Sequence, residues 1–255
     1  MTALLLAGAR PRADERGLGT GDLPKTLLPV AGQTMLSRVA NTLRSTPCIS
    51  SIHMIAQEAE AMLRRAGLSN QHIDTSEAAA SASLSVSNAL ANAWPYLVVT
   101  ADHALLTPDI IEEFVDKSLA TECDLCAGVV SRETLQLRFP NSRRTWLKFR
   151  GGSYTGANLF LLRNSKVRGA LEVWGNVEQQ RKKGRAIIGA FGPLLLLGAL
   201  LRILTLDQAI AAAGRKVGCR ATAIYLGNAE AAIDVDTQAD LEQAEDILNQ
   251  RGTTT

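Results

Sequence analysis

The apolar residues of this chain fall in short, nearly unbroken runs, and that limits what it can fold into more than any other feature. Residues 2–6 read TALLL, 52–56 IHMIA and 96–100 YLVVT. A strand exposed on one face alternates apolar with polar residues, whereas runs of this kind suit strands covered on both faces by helices. The stretches between them carry helix signals: Thr34 stands as a cap before 34–43, and 58–66 and 83–93 follow the same logic. Thr107-Pro108 is a cap followed by a first-turn proline. Strand and helix in strict alternation predict an α/β fold, with a mostly parallel sheet between two helical layers.

Further along, 124–130, 155–162 and 221–226 predict strands, 177–213 reads as helical, and Thr237 caps a terminal helix over 238–248. No repeat or low-complexity linker interrupts the chain. One domain over 1–250 is expected, with an excursion and helical insert at 131–215 and a disordered tail at 251–255.

Composition excludes some classes. Apolar residues make up 46% and charged residues 20%, as in ordinary globular chains. A net charge of +2 gives no general field for holding nucleic acid, so any anion site must be local. The cysteines Cys48, Cys123, Cys126 and Cys219 include only one close pair, short of the ligand set of a structural zinc. The opening apolar run is too short for an export signal, so a cytoplasmic, reducing environment is expected.

Several residues suit phosphate chemistry. After the first strand, Leu6-Ala7-Gly8-Ala9-Arg10 enters a stretch with glycines at 8, 17, 19 and 21 that ends in Pro24-Lys25. Glycines let backbone amides approach phosphate, and Arg10 and Lys25 add charge; a surface loop with incidental glycines is the alternative. Asp102 follows the strand 96–100, where open α/β sheets bind ligands and where a carboxylate can hold Mg²⁺. Asp234 and Asp236 alternate, so an extended strand would aim both at one face, either toward a cation or toward solvent. His53, His72 and His103 have no catalytic or metal spacing.

Two segments admit more than one use. Residues 132–150 hold Arg132, Arg138, Arg143, Arg144, Lys148 and Arg150 against one acid, Glu133, which suits either a solvated face or a pocket for an anion. The uncharged run 186–201 is 16 residues, broken by Gly192-Pro193, and is too short to span a bilayer. A buried hairpin, a homodimer contact or a peripheral membrane contact through 181–201 remain open.

Taken together, the chain resembles the GT-A-fold nucleotidyltransferases, most closely the molybdenum-cofactor guanylyltransferase-like (MobA-like) NTP transferases. The resemblance rests on Leu5-Leu6-Ala7-Gly8 with Arg10, Pro24-Lys25-Thr26-Leu27-Leu28-Pro29-Val30-Ala31-Gly32, Val99-Thr100-Ala101-Asp102-His103, Tyr154-Thr155-Gly156-Ala157-Asn158 and Ile233-Asp234-Val235-Asp236-Thr237 with Asp240-Leu241. It implies a three-layer Rossmann-like fold and transfer of NMP from an NTP, GTP or CTP, to a phosphorylated small molecule with loss of pyrophosphate. It further implies nucleotide contacts from Leu6, Ala7, Gly8, Arg10, Lys25, Ser85 and Asp102, catalysis by Lys25, Arg10 and Asp102, Mg²⁺ at Asp102 and Asp234, and an acceptor near Gly156 and Asn158. A GT-A glycosyltransferase or a non-catalytic nucleotide-binding module are the competing readings. The first commonly uses a strand-end Asp-x-Asp, where this chain has Asp102-His103-Ala104.

Overall fold

The computed structural model of the chain describes residues 1–8, 23–69, 71–142, 144–179, 197–198 and 201–253. Thr2–Leu6 forms β1 at the centre of the sheet, with Ala3, Leu4 and Leu5 fully buried. Each such leucine contributes about 1.5–3 kcal/mol by leaving water, which is why this run takes the central position. A hairpin of β2 (Pro29–Val30) and β3 (Gln33–Thr34) turns through Ala31 and Gly32, both at positive φ, and leads into helix α1 (Met35–Ser45). The Thr34 side chain accepts from Ser37 N as the expected cap.

The elements then alternate: β4 (Ser51–Ala56), α2 (Ala59–Arg65), β5 (Asp74–Glu77), α3 (Ala82–Ala89), β6 (Tyr96–Thr100), α4 (Pro108–Leu119) and β7 (Leu125–Ser131). Helix α5 (Arg132–Arg138), β8 (Leu147–Phe149), β9 (Gly152–Leu162), α6 (Arg168–Gln179), α7 (Leu206–Lys216), β10 (Ala221–Tyr225) and α8 (Gln238–Thr253) complete it. The sheet order is β10-β7-β9-β6-β1-β4-β5, with β8 paired to β9. Only β9 runs against the rest, through the antiparallel pairs β6/β9 and β7/β9, and β8, antiparallel to β9, follows the common direction. This is the expected mostly parallel α/β sheet.

The chain builds from β1 through β4 to β5 on one side and then returns to place β6 on the other. The order therefore switches beside β1. In open α/β sheets the crevice outside the carboxyl ends of strands at such a switch is where ligands bind. Leu6 is in register with Thr100, so Gly8 and Asp102 leave the sheet side by side.

Several boundaries differ from expectation. Strand β5, DTSE, carries no apolar run because it is an edge strand, held by pairing and by His53 Nε2 with Ser76 Oγ at 2.8 Å. Within the expected excursion, residues 131–150 contain α5 and β8. The helical expectation over 177–213 is corrected at both described ends: α6 begins at Arg168 and α7 ends at Lys216, with 202–205 non-helical between. Most of 181–201 lies outside the described residues, and among those described no helix is long and apolar enough to cross a membrane. The terminal helix extends to Thr253, so 251–253 are helical rather than tail.

Asp124 joins three strand ends opposite the crevice. It is 1% exposed, and its carboxylate accepts from Arg220 N (2.8 Å) and Asn164 Nδ2 (2.8 Å), while its own amide donates to Arg220 O (2.7 Å). Asp124→Ala would leave two part-buried donors, Arg220 N and Asn164 Nδ2, without this acceptor. A loss of about 2–4 kcal/mol is expected in chemical denaturation; a change below about 0.5 kcal/mol would contradict this assignment.

Candidate active site

The crevice at the switch is built from three segments that are far apart in the chain. Lys25 opens a 3₁₀ turn, Lys25–Leu27, behind Pro24. Buried Leu27 anchors that turn, and Thr26 Oγ1 donates to Ala7 O at 3.5 Å, which seats it against the end of β1. Asp102 lies just past β6, where Ala101 N still donates to Leu6 O (2.9 Å). The third segment follows the 3₁₀ turn Ala229–Ala232, and Val235 N donates to Asp102 O (3.0 Å), tying it to the first acid.

Lys25 Nζ lies 2.7 Å from Asp102 Oδ2 and 2.7 Å from Asp236 Oδ1. Ligand atoms of Asp102, Asp234 and Asp236 come within 4.8 Å of one another, the one group among the described residues placed to hold a metal ion. Residues 233–236 belong to no strand of the sheet, and the alternating acids Asp234 and Asp236 reach the same group. Asp236 thereby joins the site that the resemblance assigned to Asp102 and Asp234.

A second cation completes the cluster. Arg144 pairs through Nη1 with Asp234 Oδ1, and its Nη2 donates to Asp234 O (3.0 Å) and Asp240 Oδ1 (3.1 Å). Asp240 Oδ2 in turn accepts from Thr237 Oγ1 (2.7 Å), Thr237 N (2.9 Å) and Asp236 N (3.3 Å), while Thr237 Oγ1 accepts from Asp240 N (3.2 Å). This reciprocal cap, which Thr237 was expected to begin, fixes the turn bearing both acids at the start of α8. Asn158, at φ 52 beside a bulge in β9, donates from Nδ2 to Asp234 Oδ2 (3.2 Å).

The environment divides the acids. Burial pushes Asp102 up, but the Lys25 ammonium outweighs it and holds the acid below the usual carboxylate range. Burial lowers the Lys25 ammonium, yet Asp102 and Asp236 overcome that and raise it, so it stays charged. Asp234 is raised, chiefly by burial, with Asp102 and Asp236 adding to the shift and Arg144 opposing it. His103 is 1% exposed and pushed down by burial; its Nε2 lies 3.4 Å from Glu230 O, so it packs beneath the acids rather than facing the crevice.

Other expected residues are placed as follows. Gly8 is exposed at the end of β1, where a Cβ would meet Gln57 Oε1 at 3.3 Å and Ala78 Cβ at 3.7 Å, so the glycine keeps this corner open. Ala7 is buried and Leu6 partly so. The Ser85 hydroxyl is already engaged: it donates to Ser81 O (2.8 Å) and accepts from Ala79 N (2.9 Å), shaping the loop next to Ala78. Gly156 is exposed, with open space where a side chain would stand. Arg10, like Arg143, lies outside the described residues.

The basic stretch is not one pocket. Arg132 stacks over Trp146, with 5.7 Å from its Cζ to the ring centroid; Arg138 pairs with buried Glu230 (2.5 Å), which Arg251 also binds; Arg150 bonds Gln208 (3.4 Å). Of the described members, Arg144 is the one that reaches the acids. Sequence reasoning could not separate it from its neighbours. The signal for Asp240 lay in the Thr-x-x-Asp spacing that starts the last helix.

Comparisons with known proteins bear on the family and the fold. A family model described as the MobA-like NTP transferase domain matches residues 3–190. A transferase structure of hypothetical function from Thermus thermophilus is 30% identical with a TM-score of 0.78, covering 94% of this chain and 98% of that one. The 2-C-methyl-D-erythritol 4-phosphate cytidylyltransferase of Francisella tularensis shares the fold at 13% identity, TM-score 0.57, with 95% and 97% covered. A CMP:2-keto-3-deoxy-manno-octonic acid synthetase solved with CTP does so at 11%, TM-score 0.57, with 98% and 100% covered. No curated protein matches the sequence. With the family model spanning most of its length and its acids gathered at the sheet's switch point, the chain belongs to the MobA-like NTP transferase family.

Proposed function

We propose that the protein transfers an NMP group from an NTP, GTP or CTP, to a phosphorylated small molecule and releases pyrophosphate, with Mg²⁺ held by Asp102 and Asp234. The observation that carries this reading is the charge balance of the crevice. With all ionised, Asp102, Asp234, Asp236 and Asp240 pair among the described residues with Lys25 and Arg144, and these six groups carry a net charge of −2 that one divalent cation would neutralise. Asp102 Oδ1 is also buried without a hydrogen-bond partner among the described residues, a donor suited to a hard cation.

When bound, the metal would offset charge on the phosphate oxygens during displacement at the α-phosphorus. The remaining roles belong to the chain. Lys25, kept protonated, neutralises phosphate charge, and the open corner at Gly8 lets the backbone approach the nucleotide. A phosphate monoester is already anionic and attacks without a general base, so buried His103 is not needed for proton removal. Gly156 and Asn158 stand on the acceptor side, with Asn158 also steadying Asp234. The titles of two structural neighbours name a cytidylyltransferase and a synthetase bound to CTP, which favours CTP among the nucleotides to test first.

A panel of four NTPs with Mg²⁺, read by thermal shift, should single out one nucleotide, because a ligand selective for the native state raises its stability. With that nucleotide and an acceptor that supports turnover, Lys25→Ala and Asp102→Asn should each lower pyrophosphate release by at least about 10²-fold. Full activity in either variant would overturn the assignment.

The acids also give a pH dependence. Asp234 is raised and Asp102 lowered, so on acidification Asp234 takes its proton first and weakens metal binding while Asp102 is still ionised. Mn²⁺ affinity should therefore fall on the acid side at a pH above the ordinary aspartate range. In Asp234→Asn that limb should move to lower pH; an unmoved limb would assign it to another group.

A further inference from the structure

The cation nearest the acids is the protein's own. Lys25 Nζ sits 2.7 Å from a carboxylate oxygen of Asp102 and 2.7 Å from one of Asp236, residues 77 and 211 positions away in the chain. Those two acids belong to the group whose ligand atoms converge within 4.8 Å. An ammonium at hydrogen-bond distance from two of three ligand acids fills part of the space that a small divalent ion needs, and it repels that ion at close range.

From this contact we infer that Lys25 is an internal counter-ion that competes with the metal: in the nucleotide-free protein it holds Asp102 and Asp236, and the NTP's phosphates draw it away. Metal and nucleotide binding are thereby coupled. The inference rests on the proposed NTP- and metal-dependent reading of this site and adds an order to it.

Two further features support the exchange. The Lys25 side chain is 23% exposed at the mouth of the crevice, and Asp236 is 48% exposed, so the contact with Asp236 opens to solvent without disturbing the core. Arg144, by contrast, is 12% exposed and tied to Asp234 and Asp240, and serves as the fixed cation. The site thus pairs one cation that is anchored with one that sits at the surface. Binding the anionic triphosphate near Gly8 would offer Lys25 replacement partners while vacating Asp102, so the loss of its ion pairs is offset at the moment the metal arrives.

The test is Mn²⁺ binding to the full chain without nucleotide, followed by electron paramagnetic resonance at pH 8, for wild type, Lys25→Met, Lys25→Arg and Lys25→Met/Asp102→Asn. Lys25→Met should bind Mn²⁺ at least about tenfold more tightly than wild type. Lys25→Arg should stay close to wild type, and the double variant should lose the gain, which locates the ion at Asp102. Thermal melting of each variant checks folding, with Lys25→Gln as the substitute should Lys25→Met not fold. Equal or weaker Mn²⁺ binding by folded Lys25→Met or Lys25→Gln overturns the inference. NTP-induced stabilisation of wild type in Mg²⁺ is measured alongside: if it persists while that result is found, the inference alone fails. If no NTP stabilises the wild type, the reading on which it rests fails.

Discussion

The architecture of the site depends on confining several negative charges to one small volume. Carboxylates at such separations repel, and each is partly removed from water, so the fold must supply cations and donors or leave the acids protonated. Lys25 and Arg144 divide that work: the first spans Asp102 and Asp236, the second spans Asp234 and Asp240. Among the described residues four acids meet two cations, so the compensation within this group is incomplete.

Secondary structure serves this arrangement from three directions. The switch in strand order beside β1 leaves the ends of β1 and β6 adjacent, which brings Gly8 and Asp102 together. The 3₁₀ turn at Lys25–Leu27 is fastened by buried Leu27 and by Thr26, so Lys25 projects over the same edge. The cap of the last helix arranges Asp234 and Asp236 through Asp240 and Thr237. Buried Glu230, on the 3₁₀ turn just before the acids, pairs with Arg138 of α5 and Arg251 of α8, so the segment leading to the acids is tied to both helices.

Much of this was legible before any coordinates. The unbroken apolar runs identified the central strands because burial on both faces leaves no room for alternation, and Thr34 and Thr107 marked helix starts by a local chemical rule. Lys25 and Asp102 stood at recognisable positions relative to those strands. Strand β5 was not legible, since DTSE forms an edge by pairing with β4 rather than by burying itself. The part played by Arg144 was hidden for another reason: it comes from a contact 90 residues distant, and no local pattern encodes that. The alternation of Asp234 and Asp236 pointed to one shared face, and both acids do reach one group although residues 233–236 belong to no strand.

The central claim is that these acids and Lys25 form a seat for a metal-bound NTP. Its most direct measurement is a crystal structure grown with Mn²⁺ and a non-hydrolysable NTP, using anomalous scattering to locate the metal. The account predicts an anomalous peak coordinated by Asp102, with the nucleotide's phosphates beside Gly8 and Lys25 released from Asp236. A well-ordered nucleotide bound elsewhere, or a metal that avoids Asp102 while the nucleotide occupies the crevice, would contradict it.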